Sequence, residues 1–442
     1  MIAMRNLRRR IALLLPFVLL TAALAQDTRH LTILHTSDLH ARFLPDAQGQ
    51  GGFANLATAI RNQKENCRDC LVLDGGDLVQ GSPASTLFRG LPSYEVANHL
   101  GIDVSTLGNH EFDYGWQRTY DFLSTASFPI VCANVTDDQG RLITGKPYSI
   151  VTVNGIRVGI IGILMGVLMD GFSTPELVGP WKVADPVETA QKYARMLHDR
   201  TDLIIVLSHI THAEMDAILS KVPEVSVVVA GHEHAGLPAM REVEDRYGVR
   251  VKSYARELGR LDLDVDVAER KVVRAEWKAI GITQKIAPAP DVAKIVGEWE
   301  QKVAAIVDVP IGESTRSFSN AEVKTLIERA MRDEIHVDFA FLNRGGVRDT
   351  LPAGRILARH AWNIMPFDDR VVIGRFKGKD LPAVVTEGKT IEPEKEYSLA
   401  VTDFISENQK TAFGATGLVF PQTGPLLRDV LIDWIRKQKV IQ

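Results

Sequence analysis

Cysteine is scarce, with three in 442 residues, and that excludes a scaffold built on disulfides. Excess positive charge is lacking too. The formal charge is -4, and loss of the four leader arginines Arg5, Arg8, Arg9 and Arg10 takes it to -8, which argues against a binder of nucleic-acid backbones and against a nucleic-acid polymer as partner. Beyond residue 25 no apolar run reaches the ~20 residues of a membrane span. Internal repeats and low-complexity tracts are also missing from the sequence. What is present is an ordinary globular composition, 45% hydrophobic and 24% charged, enough to bury large cores and to exclude wholesale disorder. At ~150 residues per domain, the chain without its first 25 residues amounts to two or three units.

The N-terminus reads RNLRRR, then IALLLPFVLLTAALA, then a polar QDTRH. A basic start, an apolar run of ~15 residues interrupted by Pro16, and the small-residue site Ala23-Leu24-Ala25 predict a signal peptide over 1–25 cleaved before Gln26. The mature chain is then expected outside the cytoplasm, periplasmic or secreted, with no membrane span. Cys67 and Cys70 form a lone CRDC before the strand LVLD. No second CxxC or thioredoxin-type unit accompanies it, which leaves a local structural bridge or inert thiols. Cys132, beside PIV, reads as a small buried hydrophobe.

From residue 31 short apolar runs alternate with helix-like segments: LTILHTSD, GFANLATAIRNQKEN, LVLDGGD, and so on through DLIIVLSH and VSVVVAGHEH. This rhythm predicts an α/β fold. After residue 249 the alternation becomes hairpin-like and closes a first domain over 26–285. Pro288 and Pro290 then open an Ala/Val/Glu/Lys-rich helix, read as a linker over 286–308. A smaller α+β domain follows over 309–442, with helices AEVKTLIERAMRDE and GPLLRDVLIDWIRKQ around strands such as VVIGRF.

Metal-ligating residue types fall at the C-terminal ends of the predicted strands, where open α/β sheets bind ligands. Asp38 and His40 follow LTILHTS and, if extended, point to one side. Asp77 ends LVLDGGD, where Gly75 and Gly76 let the backbone turn. Asn109 and His110 lie in LGNHEFDYG, His209 ends LIIVLS, and His232 and His234 sit in AGHEHAG. Singly, several would be turn or core residues; five clusters at strand ends in one half of the chain point to a dinuclear metal site. Mixed carboxylate, amide and imidazole donors suit two divalent ions of the Zn, Mn, Co, Fe or Mg type. Two such ions ~3.5 to 4 Å apart serve phosphate-ester hydrolysis, with Asp77 as the carboxylate that bridges them. Asp113, three residues after His110, is close enough in a turn to pair with it.

In this order the blocks HTSDLH, DGGDLVQGSP, TLGNHEFDYG, LSHITH and AGHEH resemble the metallophosphatase domain of the 5'-nucleotidase family, within the calcineurin-like superfamily. The resemblance spans residues 31 to about 280 and implies a four-layer β-sandwich flanked by helices. It also implies that Asp38, His40, Asp77 and His234 hold one ion while Asp77, Asn109, His209 and His232 hold the other. His110 is then the catalytic histidine that stabilises charge on the phosphoryl group, oriented by Asp113.

The second domain resembles the family's substrate-binding domain through FLNRGGVRDTLPAGRI and MPFDD. By that resemblance Arg348 takes the substrate phosphate, Gly345 and Gly346 let the backbone approach it, Asn343 contacts the base, and Phe367 stacks on it. Where relatives carry a DFLAxGGDGY-like loop this chain reads DFISENQKTAFG, with Phe413 as the second stacking ring. The stretch from Leu381 to Tyr397 is also short against the family's. With the leader, the resemblance implies an exported hydrolase of nucleoside 5'-monophosphates, and a monomer is expected. The altered loop keeps in view a 2',3'-cyclic-nucleotide phosphodiesterase, a nucleotide-sugar hydrolase and a thiosulfohydrolase on the same metals, and, from another class, a nucleotide- or metal-binding protein without turnover.

Overall fold

The computed structural model describes residues 27–67, 69–166 and 175–442; the expected signal peptide over 1–25 lies outside the described residues. Two six-stranded sheets form the first half. One runs in the order Lys271–Gly281, Glu257–Asp266, Thr28–Thr36, Cys70–Asp74, Val104–Thr106, Ile130–Val131. The other runs Arg241–Val243, Arg246–Val249, Val227–Gly231, Leu203–His209, Ile156–Leu164, Tyr148–Val153.

The period-2 pattern of each strand explains how the sheets stack. Leu31, Ile33, Leu71, Leu73, Ile205, Leu207, Val227 and Val229 share one buried cluster between the sheets. Their alternates Leu34, Val72, Ile204, Val206 and Val228 belong to a second cluster that packs on the helices. Strands buried on both faces read as unbroken apolar runs, as LIIVLS and VSVVV do. The result is a sandwich with helices outside, the expected α/β four-layer architecture. The hairpin expected after residue 249 forms between Glu257–Asp266 and Lys271–Gly281.

The helix expected as a linker forms over Pro290–Val307, but it is docked. Val292, Val296, Val303 and Val307 are buried in the first core, the Trp299 indole donates to Glu95, and Asp291 pairs with Arg61. An amphipathic helix of this length gains its stability from burying that apolar face, so it packs rather than spans a gap.

A separate core lies beyond it, built from Ile311, Ile327, Met331, Leu399, Leu431 and Trp434 among others. Its sheets run Gly354–Leu357, Pro310–Ser314, Val440–Ile441 and Phe339–Ala340, Glu396–Thr402, Arg370–Lys377, Gln422–Leu426. Helices Asn320–Ile335 and Leu427–Gln438 pack against them. Ser319 caps the first with a reciprocal Glu322 contact, which satisfies amides that would otherwise be orphaned. Cys67 and Cys70 are disulfide-bonded, and Cys132 is buried with its thiol pushed up to about 12 by burial. Among the described residues no helix is long and apolar enough to cross a membrane.

Candidate metal centre and substrate cavity

The two sheets direct the C-terminal ends of their parallel strands to one place. Thr28–Thr36 delivers Asp38 and His40, Cys70–Asp74 delivers Asp77, Val104–Thr106 delivers Asn109 and His110, and the facing sheet delivers His209, His232 and His234. The route differs from the one expected for the DxH pairs. Asp38 and His40 lie beyond the strand end with φ of 53° and 45°, and His232 and His234 with φ of 88° and 54°. Asp77 shares this left-handed backbone at 57°. Five of the seven candidate ligands therefore sit in a conformation that costs non-glycine residues about 1–3 kcal/mol each. Convergence comes from these tight turns, because an extended chain would have carried the second residue of each pair away from the sheet edge.

Asp38, His40, Asp77 and His234 each bring one ligand atom within 4.8 Å of the others. His209 Nε2 stands 3.0 Å from Asp77 Oδ2 and 3.9 Å from Asp38 Oδ1. His232 Nδ1 lies 3.2 Å from Asn109 Oδ1, while its backbone N–H donates to Asp38 Oδ1 at 2.8 Å. All seven candidate ligands are thus in one cluster, with Asp77 within 3.8 Å of a histidine from each expected set.

Close approach depends on missing side chains. A Cβ on Gly108 would overlap the Asp77 carboxylate, and one on Gly231 would come within 2.8 Å of His209 Nδ1 and 3.0 Å of Asp38 Oδ2.

The donor chemistry fits a cation. His209 Nδ1 contacts the Gly75 carbonyl at 2.8 Å, and a carbonyl only accepts, so the proton is on Nδ1 and the Nε2 lone pair faces a carboxylate. Both His209 Nε2 and Asp38 Oδ2 are buried without a hydrogen-bond partner. Facing lone pairs need a positive charge between them, either an ion or a proton. Without an ion the proton goes to His209: burial lowers its pKa, but the charges of Asp77 and Asp38 outweigh burial and bring it to about 10. His232 and His234 are kept neutral, lowered to about 4 and about 3, chiefly by burial. His40, whose Nε2 is 2.9 Å from that of His234, is also lowered by burial. Neutral imidazoles are the ligand-competent form.

On the other side, a guanidinium faces an imidazole nitrogen. His110 Nδ1 contacts Asp113 Oδ2 at 2.7 Å, and Arg348 Nη2 reaches His110 Nε2 at 2.8 Å. A guanidinium only donates, so here Nε2 accepts and the Nδ1 proton points to Asp113. An anion inserted at this contact would take donation from both groups, provided His110 were protonated at Nε2.

These groups line a cavity of about 830 Å³ together with Asn343, Gly345, Gly346, Phe367 and Phe404. Phe367 lies 5.9 Å from the His110 ring and 5.2 Å from the Arg348 guanidinium. The loop that carries Arg348 is fastened to the first half by the Arg42–Asp349 ion pair at 3.0 Å, only 8% and 13% exposed. Thr86 adds a donation to the Pro366 carbonyl. Phe413 does not line the cavity: its ring packs edge-on against Phe341, 5.7 Å away. The aromatic of this segment that lines the cavity with Phe367 is instead Phe404, carried on a short helix, Asp403–Glu407.

Glu111 is a residue the sequence reading passed over. Its buried carboxylate accepts from the backbone N–H of Asp77, Leu78 and Gly108 at 3.1, 3.0 and 2.6 Å, so it clamps the Asp77 and Asn109 loops together. Burial first, then the Asp77 charge, pushes its pKa to about 7. The signal was its place in GNHE, an acidic residue directly after Asn109 and His110. Glu111→Gln leaves one acceptor oxygen for three backbone donors and the Tyr94 hydroxyl and is expected to cost about 1–3 kcal/mol, read as a lower urea midpoint, with weaker metal retention. Asp74, which accepts from Thr36 and Ser105 hydroxyls and is pushed to about 7 by burial, supports the same strand ends.

Comparison with known proteins agrees with this geometry. The sequence profile of the calcineurin-like phosphoesterases matches residues 31–236, and that of the 5'-nucleotidase C-terminal domain matches residues 302–387. The second match ends before DFISENQKTAFG. The chain is 30% identical over 426 residues to the snake venom 5'-nucleotidase of Gloydius brevicauda, covering 84% of this chain and 68% of that protein. It is 26% identical over 492 residues to an endonuclease of Bacillus subtilis, of which it spans only 40%. Among solved structures, a 5'-nucleotidase precursor from Thermus thermophilus superposes with a TM-score of 0.83 over 94% of this chain and 97% of that one, at 23% identity, which is a likeness of fold.

Proposed function

The chain belongs to the 5'-nucleotidase family of metallophosphoesterases, and from that premise we propose that it is an exported, monomeric hydrolase of nucleoside 5'-monophosphates, releasing nucleoside and orthophosphate. The observation that carries the reading is the pairing across one cavity of a cation-seeking cluster, Asp38, His40, Asp77 and His234, with an anion-seeking pair, His110 and Arg348. We read phosphate chemistry into 26–285 and base recognition into 309–442, with the helix of 286–308 between them.

In this reading Asp38, His40, Asp77 and His234 would hold one divalent ion, and Asp77, Asn109, His209 and His232 would hold the other. When bound, the pair of ions lowers the pKa of a water and neutralises charge on the phosphoryl group. The chain's own residues do the rest. His110, protonated at Nε2, donates to a phosphoryl oxygen as charge builds there, while Asp113 fixes its ring through Nδ1. Arg348 turns its fork from His110 to the phosphate, which fits bidentate donation. Gly345 and Gly346 let the backbone close on the substrate, Asn343 offers an amide to the base, and Phe367 with Phe404 supplies flat faces for it.

The test is orthophosphate release from adenosine 5'-monophosphate by protein loaded with Mn, Co or Zn, beside 2',3'-cyclic AMP and a nucleotide sugar, with a chelated control. Metal-dependent release from the 5'-monophosphate is expected. Turnover of only the other esters would reassign the substrate, a reading the DFISENQKTAFG segment favours because it lies past the matched C-terminal profile.

A further inference from the structure

A second cavity, of about 770 Å³, adjoins the first and shares Asn343, Gly345 and Phe404 with it. Its walls differ in charge. The first cavity, beyond the metal cluster, is lined by Asp368, Asp369, Asp403 and Glu407. The second presents Lys324, Arg332, Arg344 and Lys389 against Glu328 and Glu387.

Lys324 is spoken for, since it pairs with Glu328, whose carboxylate also takes the Leu342 N–H at 3.0 Å. Neither the Arg332 nor the Arg344 guanidinium has an ion-pair partner among the described residues. Lys389 sits over the Phe339 ring at 4.3 Å with its ammonium on the Val385 carbonyl. Its pKa is lowered, by burial first and then by the charge of Arg332. Cations that repel one another in a shared recess leave a place where an anion is favourable. The floor is Phe341, 7% exposed and backed by Phe413, so the ring expected at the base serves to shape this recess.

We propose that this basic cavity is a distal phosphate subsite, and that the enzyme's preferred substrates are 5'-nucleotides carrying a second phosphate on the side away from the scissile one. The inference rests on the reading of the site given above and deepens it. The shared wall makes the occupant an extension of the substrate: a nucleoside whose 5'-phosphate meets His110 and Arg348 reaches Asn343 and Phe404 with its sugar and base, and those two residues border the second cavity. Two guanidinium forks and an ammonium suit a phosphate in particular. A nucleoside 3',5'-bisphosphate is the smallest molecule of this class.

The experiment compares adenosine 3',5'-bisphosphate with adenosine 5'-monophosphate on the metal-loaded protein, in wild type, in Arg332→Gln/Lys389→Gln, and in a charge control, Lys377→Gln/Lys379→Gln. A KM about five- to tenfold lower for the bisphosphate is expected, on the scale of one charge-assisted contact. The advantage should vanish in the first double variant, with KM and kcat for the monophosphate unchanged, and persist in the control. Equal KM values in wild type, or an advantage that survives Arg332→Gln/Lys389→Gln, would overturn the subsite while leaving the nucleotidase reading intact. Stimulation of monophosphate turnover by added inorganic phosphate would overturn it in favour of a separate effector. No release from either compound would overturn the underlying reading and this one with it.

Discussion

His110→Ala is expected to lower kcat by about two to three orders of magnitude, the cost of losing one donor aimed at developing charge, with metal content unchanged. The separation of the two effects follows from which atoms His110 uses. Its backbone N–H donates to Asp77 Oδ1 at 2.9 Å, and alanine keeps that bond, so the Asp77 carboxylate stays placed. Among the described residues its side chain hydrogen-bonds to Asp113 and Arg348, and its ring packs edge-on against that of His40 at 5.2 Å without a hydrogen bond to it, so its loss falls mainly on the cavity. Asp113→Asn is the milder companion, expected to cost about 10- to 100-fold, as outer-shell orienting groups do. Turnover and metal stoichiometry measured on the same preparations decide the matter. Metal loss in His110→Ala would make it a structural residue of the centre, and unchanged turnover would end its assigned role.

Chelation is the second large effect: turnover should disappear and return on adding back a divalent ion, without unfolding. The metal-free centre has a way to survive, because the charges of Asp77 and Asp38 raise the pKa of His209, and its protonation offsets part of their charge. Stability should nonetheless fall. Ions at about 100 times their Kd add about 2.7 kcal/mol, a rise of several degrees in Tm for domains of this size. Asp77→Asn is expected to abolish both the Tm gain and the turnover, since the carboxylate is 1% exposed and lies against histidines of both sets. A full Tm gain in Asp77→Asn would show that the ions bind without it.

The sequence was most legible where residue type and local position together left few readings. Apolar runs ending in His, Asp or Asn beside glycines marked the strand ends, and the candidate ligands Asp38, His40, Asp77, Asn109, His209, His232 and His234 do lie in one cluster. It was least legible where the outcome depended on distant partners. Nothing near Glu111 in sequence announces that it will accept from Asp77 and Leu78 over thirty residues away. Arg42 and Asp349 are 307 residues apart, yet their ion pair fastens the Arg348 loop to the metal loops. Phe404 and Phe413 lie in one segment, and which of them meets the cavity was set by packing: Phe413 found Phe341, and that left Phe404 at the wall.

By itself, then, the sequence determined the α/β alternation, the docked amphipathic helix as a helix, and the donor types brought to the strand ends, because each follows from local periodicity and side-chain chemistry. Tertiary structure alone decided the left-handed turns at Asp38, His40, Asp77, His232 and His234, the juxtaposition of His110 with Arg348, and the basic recess beyond Asn343. Strained backbone persists only where surrounding packing over-determines it, the His110–Arg348 contact exists only once both cores are folded against each other, and the recess only once segments from Lys324 to Ala412 are packed together.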